Sequence, residues 1–148
     1  MSREILFKAK RKNWRELPKD EWWVEGDLRQ DRDLETAFIS GWDYYTSESG
    51  LEREPFEYEI DPETFCQYTG KTDKNEKKIW ENDICNRKEK YPEIVTYNKG
   101  DWQLDYSYVF GKEMHTDACN LGFYVCERNC VEVIGNIFDN ADLLEVER

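Results

Sequence analysis

Between Trp102 and Phe110 every second residue is large and apolar: Trp102, Leu104, Tyr106, Tyr108 and Phe110 share one parity, opposite Gln103, Asp105 and Ser107. Successive side chains of a strand point to opposite faces, so this run predicts a strand with one buried face. Such a face demands a partner layer. Aliphatic supply is thin, since Leu, Ile, Val and Phe number 31 of 148 residues, a composition just above that of disordered chains. The 6 Trp and 9 Tyr make up the shortfall. Each aromatic ring buries roughly 150–250 Å², so the chain is expected to fold around an aromatic core.

The same reading extends along the chain. Ile5, Phe7 and Ala9 alternate with Glu4, Lys8 and Lys10 and predict an opening strand, with its lysines on the wet side. Phe56, Tyr58 and Ile60 alternate with Glu57 and Glu59 and predict a strand that stops at the Asp61-Pro62 turn. Further strands are predicted over Phe65 to Tyr68, from near Asp83-Ile84-Cys85 after Ile79-Trp80, over Phe123 to Cys126 and over Val131 to Ile137. Ile94 to Tyr97, the turn Asn98-Lys99-Gly100-Asp101 and the aromatic strand predict a hairpin with a four-residue loop. Asp139 to Leu144 suits a closing helical turn with Asp139 as its N-cap. Leu17 to Gly50 shows no clear period and reads as mixed, with a short helix near Leu34.

These elements predict a mainly β fold of six to eight strands. Residues 61–148 are expected to form a strongly bent antiparallel sheet or a small SH3-like barrel, which the first strand joins. Residues 1–60 supply that strand and a mixed acidic region, and 148 residues suit one compact unit.

The net charge of -12 is uneven: residues 1–15 carry +5, residues 16–65 carry -12 and the remainder -5. Nucleic-acid binding gains affinity by replacing counterions with Lys and Arg, so this balance argues against it. A nucleic-acid site would have to use Lys8, Lys10, Arg11 and Lys12. No apolar run reaches the length of a membrane span or of a signal-peptide core, and the five cysteines are odd in number. A cytoplasmic protein with reduced thiols is expected.

Candidate chemistry is sparse. Gly70-Lys71-Thr72 resembles the end of a phosphate-binding loop, but Phe65 stands where that loop needs its first glycine and no helix pattern follows. His115, Cys119, Cys126 and Cys130 offer four nitrogen and sulfur ligands for zinc, in His-x3-Cys and Cys-x3-Cys pairs rather than the commoner Cys-x-x-Cys knuckle. Cysteines are among the most buried residue types, so buried thiols are the expected reading and zinc the lesser one. Carboxylate pairs are too numerous among 33 acidic residues for any spacing to mark a catalytic acid and base. No catalytic residue, cofactor site or nucleophile motif is recognised, and a non-enzymatic protein is expected. Trp22-Trp23 and Tyr44-Tyr45 are the candidate partner surface, because adjacent residues of an extended segment face opposite ways.

One longer pattern is distinctive. Asp61-Pro62-Glu63-Thr64, Gln67-Tyr68-Thr69-Gly70, Asp73-Lys74-Asn75 and Lys78-Ile79-Trp80-Glu81-Asn82-Asp83-Ile84 resemble the signature of the YopX family. The opening Arg3-Glu4-Ile5-Leu6-Phe7-Lys8-Ala9 and the closing Glu132-Val133-Ile134-Gly135-Asn136-Ile137-Phe138, with Leu143-Leu144, resemble its first and last strands. The resemblance implies a phage or prophage protein in a bacterial cytoplasm, with a β-dominated fold and no established activity. The family favours glycine where Glu76 and Asn82 stand, so the loop there is expected to be longer or differently shaped. The function expected is that of an accessory protein acting through protein contacts, homo-oligomerisation among them. An acidic nucleic-acid mimic that decoys a host protein and a zinc-binding module are the alternatives.

Overall fold

Phe7–Lys10 forms β1 in a computed structural model that describes residues 4–32, 35–87, 89–109 and 119–145. The chain divides into two compact units, residues 1–67 and 68–148.

In the first unit β1 pairs antiparallel with β2 (Trp23–Gln30), Ala9 opposite Val24, and with the start of β5 (Cys66–Thr72), Phe7 opposite Gln67. The outer half of β2 pairs with β3 (Ala37–Ser47), and β3 pairs along its whole length with β4 (Gly50–Glu59). Ala9, Val24, Ala37, Ile39 and Ile60 form the core, with Phe7, Leu28, Phe56, Tyr58 and Phe65 packed on it. The region expected to be mixed is therefore mostly strand. The helix expected near Leu34 falls at a position outside the described residues, and strands stand on both sides of it.

The opposite face of β1 departs from expectation too. Lys10 is 2% exposed, not solvated. After β1 the chain makes two 3-10 turns, Trp14–Glu16 and Lys19–Glu21, which bring Trp14 and Trp22 back over the sheet beside Trp23. The Lys10 ammonium lies 4.0, 4.5 and 5.6 Å from the three ring centroids. Indole faces are the best aromatic partners for a buried cation. The Asp61-Pro62-Glu63-Thr64 segment closes this corner: Thr64 Oγ1 accepts the Lys10 N–H at 2.8 Å, and Asp61 takes the Glu63 N–H and the Trp14 indole N–H.

In the second unit the rest of β5 pairs with β6 (Lys78–Trp80). β7 (Asp83–Asn86), β8 (Glu93–Asn98), β9 (Asp101–Asp105), β10 (Cys119–Asn120) and β11 (Glu132–Asn136) form an antiparallel sheet in the order β10-β9-β8-β7-β11. Its core is Ile79, Cys85, Val95, Leu104, Leu121, Val131 and Val133. The expected β class is observed, but among the described residues no barrel closes: β10 and β11 end the sheet as two separate edges.

Local departures have local causes. The aromatic strand stops at Asp105, whose carboxylate accepts the Ser107 N–H at 2.7 Å and starts a 3-10 turn, Ser107–Val109. Leu104 is fully buried as expected, Tyr106 and Tyr108 are only half-buried, and Phe110 lies outside the described residues. The β8-β9 loop has two residues rather than four, because Asn98 and Asp101 still pair and Lys99 and Gly100 both adopt positive φ. Phe123–Glu127 is a π-helical turn, not a strand; Asn120 Oδ1 accepts the Phe123 N–H, and the Arg128 N–H reaches the Phe123 carbonyl. The closing turn, Ala141–Leu144, has Asn140 rather than Asp139 at its N-cap position.

The signature residues have structural positions. Asp73 Oδ1 accepts the N–H groups of Asn75 and Lys77, each at 2.9 Å, while Oδ2 accepts that of Val133 on β11 at 2.9 Å. Burial alone would raise this carboxyl, yet the donors from Val133, Lys77 and Asn75 hold it below the usual carboxylate value. Asp83 accepts the Trp80 N–H and Thr69 donates to the Ile79 carbonyl. Glu76 and Asn82 take positive φ themselves, 65° and 70°, so the turns form without glycine.

Candidate protein-contact site

β2 and β3 part company at Gly26 and Gly41. A Cβ on Gly26 would sit 2.2 Å from the Ser40 carbonyl oxygen, and one on Gly41 would meet the Phe56 ring that lies across it at 2.7 Å. Beyond Ser40, β2 no longer pairs with β3, and β3 continues with β4 as a two-stranded ribbon closed by Glu48-Ser49. Its length follows from register: Gly41 faces Phe56, and pairing runs without a bulge to Ser47 opposite Gly50.

Directly opposed residues share a face, so the register sorts the ribbon into two surfaces. One carries Trp42 with Pro55, Tyr44 with Arg53, and Thr46 with Leu51. The other carries Asp43 with Glu54 and Tyr45 with Glu52. The first is apolar and open: Trp42 is 47% exposed, Tyr44 63% and Leu51 74%. Arg53 stacks its guanidinium 4.0 Å above Trp42. On the second face Tyr45 is hydrogen-bonded to Glu52, which raises its phenol above the ordinary value. At the root of the ribbon a cleft of about 500 Å³ opens between Trp42, Pro55 and Phe56, with Asp27 and Glu57 on its wall.

Of the residues singled out from the sequence, Tyr44 and Tyr45 are exposed on opposite faces of the ribbon, while Trp22 and Trp23 are half-buried in the lysine box. Trp42, Leu51 and Pro55 were missed. The signal for Trp42 was its parity with Tyr44, and for the turn the Ser49-Gly50 pair. The basic N-terminus does not gather into a patch: Lys8 and Arg11 lie over Trp23 and Tyr58, Lys10 is enclosed, and Lys12 pairs with Glu59 at 2.7 Å.

None of the five cysteines is joined in a disulfide. Cys119 begins β10, Cys126 is exposed on the π-helical turn, Cys130 is half-buried, and His115 lies outside the described residues. No three His, Cys, Asp or Glu side chains gather as a metal-binding group among the described residues. The second unit does hold a buried ion pair. Arg87 Nε donates to Glu93, its Nη2 donates to Cys119 Sγ at 3.2 Å, and its guanidinium lies 4.1 Å from the Tyr124 ring centroid. Burial pushes the Glu93 carboxyl up against the lowering effect of Arg87. This cluster links the end of β7 to β8 and β10.

Two antiparallel sheets, a lysine boxed by indoles and a two-stranded aromatic ribbon define a mainly β protein. The chain belongs to the YopX family: a family model described as YopX protein matches residues 15–145. No curated protein matches. Among solved structures, the crystal structure of protein EF1440 from Enterococcus faecalis is similar over 97% of this chain and 100% of that one, with 20% identity and a TM-score of 0.56. That likeness concerns the fold alone. No helix among the described residues is long and apolar enough to cross a membrane.

Proposed function

We propose that this protein is a non-enzymatic accessory protein of a phage or prophage, working in a bacterial cytoplasm by binding another protein through the β3-β4 ribbon. The observation that carries this reading is the aromatic face of Trp42, Tyr44, Leu51 and Pro55, held out where β3 has left β2. Contiguous exposed apolar surface is uncommon on monomeric proteins and marks contact sites, and aromatic anchors supply most of the energy at such sites. The zinc-module reading gains no support from the placement of Cys119, Cys126 and Cys130. The decoy reading differs from the contact reading in requiring competition with DNA.

The test is affinity capture from host lysate with the parent chain and with Trp42→Ala and Tyr44→Ala, alongside circular dichroism. Loss of the same captured protein in both variants, with unchanged spectra, is expected. Capture that survives both substitutions removes the ribbon from the function.

A further inference from the structure

The two faces of the ribbon and its outer edge narrow what can dock on it, and this narrowing rests on the contact reading above. A second copy fits poorly. Two β4 edges paired antiparallel about Arg53 would set Glu52 of each copy opposite Glu54 of the other, and like charges directly opposed destabilise a ladder. Pro55 contributes no N–H to such an edge. The ribbon carries Asp43, Glu48, Glu52 and Glu54 against Arg53 alone, on a chain of net charge -12. A partner of opposite sign meets no such repulsion and is drawn in by it.

The surface also shows the chemistry of what it accepts. It holds two guanidinium groups of its own chain against aromatic rings, Arg53 on Trp42 at 4.0 Å and Arg29 on Phe38 at 4.2 Å. Arg29 at the same time reaches Glu57 at 3.3 Å and Asp31 at 2.8 Å. Ring face plus carboxylate is the pairing that recognises arginine and lysine. The cleft beside Trp42, walled by Asp27 and Glu57, repeats that pairing in a concave form. We propose that the ribbon docks a Lys/Arg-rich extended segment of a partner protein, one basic side chain entering the cleft between Trp42 and the Asp27 and Glu57 carboxylates. The aromatic face then packs on the segment's stems, and Asp43, Glu52 and Glu54 steer its approach.

The probe is a fluorescein-labelled peptide of alternating Arg and Ser, titrated by anisotropy at physiological salt against the full chain. Trp42→Ala is expected to weaken binding about tenfold, the effect of losing one well-formed cation-π contact. Neutralising the ribbon (Asp43→Asn, Glu52→Gln, Glu54→Gln) is expected to weaken it comparably. Neutralising three exposed carboxylates of the second unit (Glu127→Gln, Asp142→Asn, Glu145→Gln) changes net charge equally and is expected to leave binding as it was. Equal weakening by the two neutralised variants, or parental affinity in Trp42→Ala, overturns the proposal, because net charge alone then holds the peptide. Should the peptide fail in this way while lysate capture still depends on Trp42 and Tyr44, the contact reading stands and only the basic character of the partner is lost.

Discussion

The two units solve the problem of a thin aliphatic supply in different ways. The second encloses its carboxylates, with Asp73, Asp83 and Glu93 all buried and each given backbone or guanidinium donors. The first encloses an ammonium, Lys10, and surrounds it with rings, and Lys10 is the one fully buried charge among its described residues. A buried carboxylate accepts hydrogen bonds along defined directions, so it pins loops to one register. A ring face tolerates a cation over a range of positions. The second unit is therefore specified by hydrogen-bond geometry and the first by packing, and the first is free to devote sequence to a ribbon whose residues beyond Gly41 and Phe56 stand outside its core cluster.

If this contrast holds, the largest effect belongs to Arg87→Met. It strands the Glu93 carboxylate at 1% exposure, and breaking a buried pair typically loses about 4 kcal/mol. Urea unfolding should show that loss, and adding Glu93→Gln should restore most of it. Next comes Leu104→Ala, expected at roughly 3 kcal/mol for a fully buried side chain. Tyr106, half-buried past the end of β9, should lose clearly less when truncated.

Asp73→Asn is expected to lower stability by roughly 2 kcal/mol at neutral pH, since the amide leaves at least one backbone donor without its charged acceptor. The folded carboxyl titrates below its ordinary 3.8, so its contribution is complete above that value and disappears as pH falls through the lower folded one. The gap between parent and variant should thus close in acid. Glu93 has the opposite sign: its folded carboxyl is raised above 4.5, so its contribution is present below that value and is lost as pH rises through the folded one.

Lys10→Met should be milder than Arg87→Met, about 1 kcal/mol, because the thioether keeps the space between the indoles filled while the cation-π attraction is lost. Comparable losses in the two variants would erase the contrast between the units. Smallest of all, Trp42→Ala and Tyr44→Ala should shift stability by no more than about 0.5 kcal/mol, as exposed substitutions do. A large loss there would return these aromatics to the core.

Much of this was legible from period and turn chemistry. β1, β11, the β8-β9 hairpin and the Asp61-Pro62 stop all announce themselves by alternation or by a turn residue. Residues 23–47 did not, although the period is present: Val24, Gly26 and Leu28 point one way, as do Ala37, Ile39 and Gly41. The two glycines blank the pattern at the positions where neighbouring backbone or the Phe56 ring fills the space. The lysine box was illegible for another reason. Alternation correctly sets Lys10 opposite Ala9, but nothing local says that Trp14 and Trp22 return to cover it. Phe123 to Cys126 has strand composition, and the helical turn is imposed by Asn120 and by the Arg87 guanidinium over Tyr124.

The pairing of β1 with β5 has a consequence for synthesis. Phe7 meets Gln67, and the Lys10 N–H meets Thr64, across more than fifty intervening residues. The β3-β4 ribbon, closed by two residues, needs only its own neighbours. Loop closure penalises distant contacts and spares local ones. On the ribosome the ribbon can zip as soon as it emerges, whereas β1, made first, must wait for the whole first unit before its second edge is covered. The residues of β1 are thus among the last of their sheet to be secured.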